Sequence, residues 1–290
     1  MLDNAEMLRL IAAGNTLEGQ RRLFSAPPDP EDLLLSLNRA LLSVPSEESN
    51  TFLQQAQYGH EALLPRGHNQ DQPLILYNLG CLALYQDDVQ EAKRRFQHVL
   101  DLEPDNRYAR HNLGYAHELM ADMVEARREY ERVVLEDPDL TLTRLNLALL
   151  LAQEGRPEAS ISALRLLHQQ NRDNMGILLY LCRSLLARGI PEHTNEALEL
   201  LENHPQWKEF LDLWECRAYA QYLAGLYEAA EGSFRELLSH SPENLFAHMG
   251  LIKVLAARGD IPALRQALEA YQALNPTLSL AEALDLVAAQ

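Results

Sequence analysis

The sequence predicts an all-α protein, an array of stacked helix-turn-helix units with helical caps at both ends. Three observations lead there. Small residues, asparagines and prolines return at one fixed interval, about 34 residues long. Each interval contains two apolar stripes with helical spacing. Finally, the chain is 47% apolar. Charged or polar residues nevertheless interrupt every apolar stretch well short of a membrane span, so the chain can build cores without crossing a bilayer.

Gly80 returns as Gly114, Ala92 as Ala126 and Pro104 as Pro138, each one interval further on. Asn78, Asn112 and Asn146 make a ladder at the same interval, and Gly155/Gly189, Gly225/Gly259 and Pro242/Pro276 continue it. Leu76, Leu79 and Ala83 form one i, i+3, i+7 stripe, and Ala92, Phe96 and Val99 form the next, so each period holds two amphipathic helices. Gly80 and Ala92 lack the bulk that would hold those helices apart. Pro104 stops the second helix because proline carries no N–H for the helical ladder. Gly155, Gly189, Gly225 and Gly259 fall where a first helix should end in a left-handed cap. Pro157, Pro191 and Pro262 follow, suited to the first turn of the next helix.

Leu79-Gly80, Ala92, Phe96 and Pro104, then Leu113-Gly114, Ala126, Tyr130 and Pro138, and later Ala218, Ala230, Phe234 and Pro242 resemble the signature of the tetratricopeptide repeat family. The resemblance implies a right-handed α-solenoid of six repeats, at about 73–106, 107–140, 141–174, 175–210, 211–244 and 245–276. Repeats three and six are expected to lose one residue at the turn between their helices. Repeat four is expected to carry a short insertion there, Ile190 to Asn195, and a shortened second helix. Residues 1–72 read as a helical cap or degenerate repeats, with Asp29-Pro30 opening one helix and Arg66 to Gln72 as the loop into the array. Ser279-Leu-Ala-Glu282 reads as a capping box that opens a C-terminal capping helix over 277–290.

In the resembled family, residues 2, 5, 6, 9, 12 and 13 of each repeat line a concave surface. Seven of the chain's 11 tyrosines occupy those places: Tyr77, Tyr85, Tyr108, Tyr115, Tyr180, Tyr219 and Tyr222. Only five charged residues do so (Glu118, Arg183, Asp212, Glu215 and Lys253), which implies an aromatic, weakly charged groove. Tyrosine gives wide contact at little entropic cost and keeps a hydroxyl for bonding, which suits a protein partner. Asn78, Asn112 and Asn146 fall at the sixth place, where a row of amides can pair with the backbone of an extended peptide. Packing alone for the aromatics, and a local role for the asparagines, are the competing readings. His111 and Arg183 complete the candidate partner-binding set. Replacing the three asparagines by alanine is expected to weaken partner capture with little change in melting. The family's clamp for acidic chaperone tails is not expected: its places hold Tyr77, Cys81, Asn112, Leu142 and Asn146, and only Asn112 fits.

The formal net charge of −17 disfavours nucleic acid and anionic lipid as partners. The N-terminus has neither a basic start nor a long apolar run, so no signal peptide is expected. Cys81, Cys182 and Cys216 are too scattered along the chain for a disulfide framework and read as small apolar residues in a reducing, cytoplasmic setting. The histidines show no metal-binding spacing and read as surface or interface residues. No glycine-rich phosphate loop or nucleophile elbow occurs, so neither a cofactor nor a catalytic site is expected. The expected function is a non-catalytic adaptor or scaffold that holds a protein or peptide partner in its groove. The alternatives are a homo-oligomer in which a terminal helix docks into a neighbour's groove, and a peptide-sensing regulator.

Overall fold

A computed structural model of the chain describes residues 72–274. Residues 1–71 and 275–290, with the expected caps, the entry loop and Pro276, lie outside the described residues. Among the described residues there are twelve α-helices and no strand. They are α1 (Gln72–Tyr85), α2 (Val89–Leu102), α3 (Arg107–Leu119), α4 (Met123–Glu136), α5 (Thr141–Gln153) and α6 (Pro157–Gln170). There follow α7 (Met175–Leu186), α8 (Pro191–Glu202), α9 (Leu211–Leu223), α10 (Tyr227–His240), α11 (Leu245–Arg258) and α12 (Ile261–Leu274). A 3₁₀ helix, Pro205–Glu209, precedes α9. The chain divides into two compact units, Met1–Leu151 and Ala152–Gln290, each described below by itself.

In the first unit, Leu76 and Ala83 of α1 meet Ala92, Phe96, Val99 and Leu100 of α2 and Ala109 and Leu113 of α3 in one buried cluster. The two apolar stripes of the sequence are therefore the facing surfaces of α1 and α2. Gly80 matters here because an added Cβ would stand 2.7 Å from the Phe96 ring, and Gly114 stands in the same relation to Tyr130 at 2.7 Å. Tyr130, Ala126 and Leu150 continue the core onto α5. In the second unit, Phe234, Leu237, Leu251, Val254, Leu255 and Leu268 belong to a buried cluster joining α9, α10, α11 and α12. Arg165 on α6 makes a two-pronged ion pair with Glu196 on α8, at 2.7 and 2.6 Å.

All six turns from an odd-numbered helix to the next share one geometry. Asp87, Ala121, Gly155, Gly189, Gly225 and Gly259 are each left-handed, with φ between 60° and 74°, and the next helix starts two residues later every time. The backbone closes the same way in several of them: Asp88 N–H donates to Ala83 O at 2.8 Å, Asp122 to His117 O at 2.9 Å, Leu226 to Gln221 O at 2.9 Å and Asp260 to Leu255 O at 3.1 Å. The expected one-residue losses in repeats three and six, and the insertion between Ile190 and Asn195, are therefore not found. The expected shortening of the second helix in repeat four is found, α8 being 12 residues long, but the additional chain lies after it, where the 3₁₀ helix packs Trp207 against Trp214 with ring centroids 5.8 Å apart.

Three of the turns after even-numbered helices, those leading into α3, α5 and α11, use a different device. The fourth residue of the following helix reaches back to the proline carbonyl: Arg110 to Pro104, Arg144 to Pro138 at 3.3 Å, and His248 Nε2 to Pro242 at 2.9 Å. Asn106, Asn174 and Asn244 cap α3, α7 and α11, each side chain accepting from the backbone N–H three residues on.

Candidate partner-binding faces

In the first unit, α1 and α3 carry Tyr85 and Tyr115, each 39% exposed. Tyr77 is half-buried, its ring 5.8 Å from Phe96. Its hydroxyl accepts from Asn112 Nδ2 at 3.1 Å, and the same amide lies 3.5 Å from Cys81 Sγ. Burial and the neighbouring thiol hold the Tyr77 phenol well above its usual range, and burial pushes the Cys81 thiol up to about 12. On α5, Asn146 Nδ2 donates to the Tyr130 hydroxyl at 3.3 Å, and that hydroxyl donates to Glu118 Oε2 at 3.0 Å. The Tyr130 ring is fully buried, so its hydroxyl is a fixed post between two half-buried side chains, Glu118 and Asn146.

The three asparagines are therefore not an open row of amides. Asn78 is only 5% exposed, with its Nδ2 unpaired, whereas Asn112 and Asn146 already donate to tyrosine hydroxyls. Their carbonyl oxygens stay available on half-buried side chains. Alanine at all three places would also remove bonds that tie α3 to α1 and α5 to α4, so a loss of stability is now expected beside any loss of partner capture.

His111 is not a surface residue either. It is 8% exposed, its Nδ1 lies 2.9 Å from Thr143 Oγ1, and its ring centre is 5.6 Å from that of Tyr130. Burial lowers its pKa to about 4. His117, His168 and His248 are buried as well, which corrects the reading of these histidines as surface or interface groups. Tyr108 is half-buried beneath the Arg107 guanidinium, 5.2 Å from its ring centre.

In the second unit, Tyr180 on α7 is 36% exposed. Arg183, one turn further, pairs with Asp212 on α9 at 2.9 Å. Tyr219 and Tyr222 stack with ring centres 6.1 Å apart, and Phe246 on α11 meets Tyr219 edge-on at 5.9 Å. A cleft of about 340 Å³ opens among Arg183, Leu186, Ala187, Glu215, Cys216, Tyr219 and Phe246. Glu215 is held at one side by Asn244 Nδ2 at 2.8 Å. Burial pushes the Cys216 thiol up to about 12, so it is a neutral, apolar part of the wall.

The cleft has a sequence origin. The sixth residue of α3 and of α5 is asparagine, but in α9 and α11 it is Cys216 and Gly250. Cys216 lines the cleft, where its small side chain leaves room that an amide would fill, whereas Gly250 makes way for the Phe234 ring, which an added Cβ would strike. A count of tyrosines alone passes over Phe246, which is 41% exposed. It stands at the second place of the sixth repeat, so the same count widened to phenylalanine finds it. Among the described residues no group of three or more potential ligands could hold a metal ion, and no helix is long and apolar enough to cross a membrane.

Residues 83–148 match the family model described as tetratricopeptide repeat. A search of the curated proteins finds no match. Among solved structures, the chain is similar to a tetratricopeptide repeat protein from Parabacteroides merdae, with a TM-score of 0.60 and 16% identity over 87% of this chain and 98% of that one. It is similar to Pseudomonas aeruginosa pilF, with a TM-score of 0.58 and 17% identity over 77% of this chain and 99% of that one. It also resembles a chain of the APC/C hetero-tetramer Cut9–Hcn1, with a TM-score of 0.60 and 18% identity over 89% of this chain and 49% of that one. At these identities the likeness is one of fold.

Proposed function

We propose that this chain, a tetratricopeptide-repeat protein, is a non-catalytic adaptor or scaffold that takes a segment of a protein partner on the aromatic faces of its odd-numbered helices. One observation carries the reading. Tyr85, Tyr115, Tyr180 and Phe246, 36–41% exposed, stand at groove-lining places on α1, α3, α7 and α11, where each leaves a large ring in water. Rings repeated in this way serve contact better than internal packing, because aromatic side chains lose little entropy when a partner covers them. The Cut9–Hcn1 hetero-tetramer offers a parallel, a chain of this fold within a hetero-tetramer. The cleft beside Tyr219 and Phe246 suits one apolar side chain of the partner. All three cysteines are free thiols, which fits a cytoplasmic setting.

The test is capture of partners from source-cell lysate on the immobilised full chain and two variants. Ala187→Trp fills the cleft from an exposed position, and Tyr115→Ala removes a ring from the first unit. A partner held by the wild type and released by either variant supports the reading. Identical recovery on all three proteins contradicts it. Light scattering on the same samples separates capture of a partner from self-association.

A further inference from the structure

We propose that the partner segment presents a basic side chain, arginine before lysine, to Glu118 in the first unit. The inference rests on the partner-binding reading above and names the chemistry that the face selects.

Glu118 is the one charged residue at the groove-lining places of the first unit. Among the described residues its carboxylate has no cationic partner, and its bond is the one accepted from the Tyr130 hydroxyl at 3.0 Å. A half-buried carboxylate compensated by one neutral hydroxyl is incompletely paired, and a cation brought by a ligand completes it. The group is also fixed in place. Tyr130 anchors Oε2 from the core, leaving Oε1 as an acceptor, and Asn146 bonds the same hydroxyl through Nδ2, which leaves its own carbonyl oxygen as a second acceptor on a side chain tied to the same post. Tyr115 lies one turn before Glu118 on α3 and is 39% exposed, so it offers a ring beside the acceptors. Two oxygens and an aromatic ring suit the flat, five-donor guanidinium better than a point-like ammonium. The net charge of −17 draws a basic segment in from a distance.

Phage-displayed random dodecapeptides selected on the full chain supply the probes. Synthetic copies are then titrated against the wild type and Glu118→Gln, a variant that keeps an oxygen for the Tyr130 hydroxyl. Selected peptides are expected to share a basic residue and to bind Glu118→Gln roughly tenfold more weakly. Citrulline in place of the peptide's arginine removes the charge without altering the protein, and it should erase the difference between wild type and variant. Peptides that lack a basic residue, or that bind Glu118→Gln within twofold of wild type, overturn this inference and leave the partner-binding reading standing. Recovery of no peptide at all overturns both.

Discussion

Asn146 on α5 donates from Nδ2 to the hydroxyl of Tyr130 on α4 at 3.3 Å, so a half-buried amide is held by the buried core. That hydroxyl donates in turn to Glu118 at 3.0 Å. The equivalent ring one period earlier is Phe96, which has no hydroxyl, and there Asn112 bonds Tyr77 instead. Tyr130→Phe is expected to lower stability by about 1–2 kcal/mol, the cost of one lost hydroxyl and two polar groups left under-paired. A urea titration read by circular dichroism checks it, and an unchanged midpoint would show that the relay contributes nothing to the fold.

Gly114 and Gly232 should respond in opposite directions to the same substitution. A Cβ at Gly114 meets the Tyr130 ring at 2.7 Å, whereas at Gly232, mid-helix in α10, nothing lies within 4 Å. Gly114→Ala is expected to destabilise by about 1–3 kcal/mol through overpacking. Gly232→Ala should stabilise by about 0.5–1 kcal/mol, as alanine restricts the unfolded chain and favours helix. Thermal melts of the two variants side by side decide it; equal shifts would refute the close-approach argument.

Ala121 adopts φ 60° in the turn where four of the six equivalent positions are glycine. A Cβ in the left-handed region costs about 1 kcal/mol, partly offset in the unfolded state by glycine's extra freedom. Ala121→Gly is therefore expected to raise the melting temperature slightly, and Gly259→Ala to lower it. A loss of stability in Ala121→Gly would contradict this.

His111 gives stability a pH dependence of definite sign. Its folded pKa lies near 4 because burial opposes the charged form, while the unfolded imidazole titrates near 6.5. Between these values the unfolded chain binds a proton that the folded chain does not, so stability falls as pH drops from about 7 to 4, by on the order of 3 kcal/mol. His168 is shifted down by burial as well and acts in the same sense. In His111→Gln, which can still reach Thr143, the slope of stability against pH should flatten; the wild-type slope in that variant would place the effect elsewhere.

The architecture was legible because its causes are local. Stripes such as Ala92, Phe96 and Val99, the turn glycines and the stopping prolines each act within a few residues, and all three side chains of that stripe are fully buried. The turn lengths are misread from sequence because the left-handed position is filled by Asp87 and Ala121 in the first two turns, which hides the register that glycine marks later. The faces were only partly legible. The exposed tyrosines followed from the places that the resembled family puts on its concave surface, but His111 is paired with Thr143, far along the chain, and the pairing of Asn146 depends on the Tyr130 hydroxyl, which Phe96 and Phe234 lack at the matching places. The cleft was hidden for a related reason: it owes its room to the smallness of Cys216 in its wall, and a search for chemically active side chains passes over what is missing.

The central claim is that a partner lies against the odd-numbered helices, and site-specific photo-crosslinking in source cells tests it most directly. A photoreactive phenylalanine analogue placed at Tyr115 or Tyr180 should give an adduct with a partner protein. The same analogue at Leu135, 83% exposed on the even-numbered helix α4, should give none. Adducts from Leu135 with none from Tyr115 and Tyr180 would contradict the account and move the binding surface to the even-numbered helices.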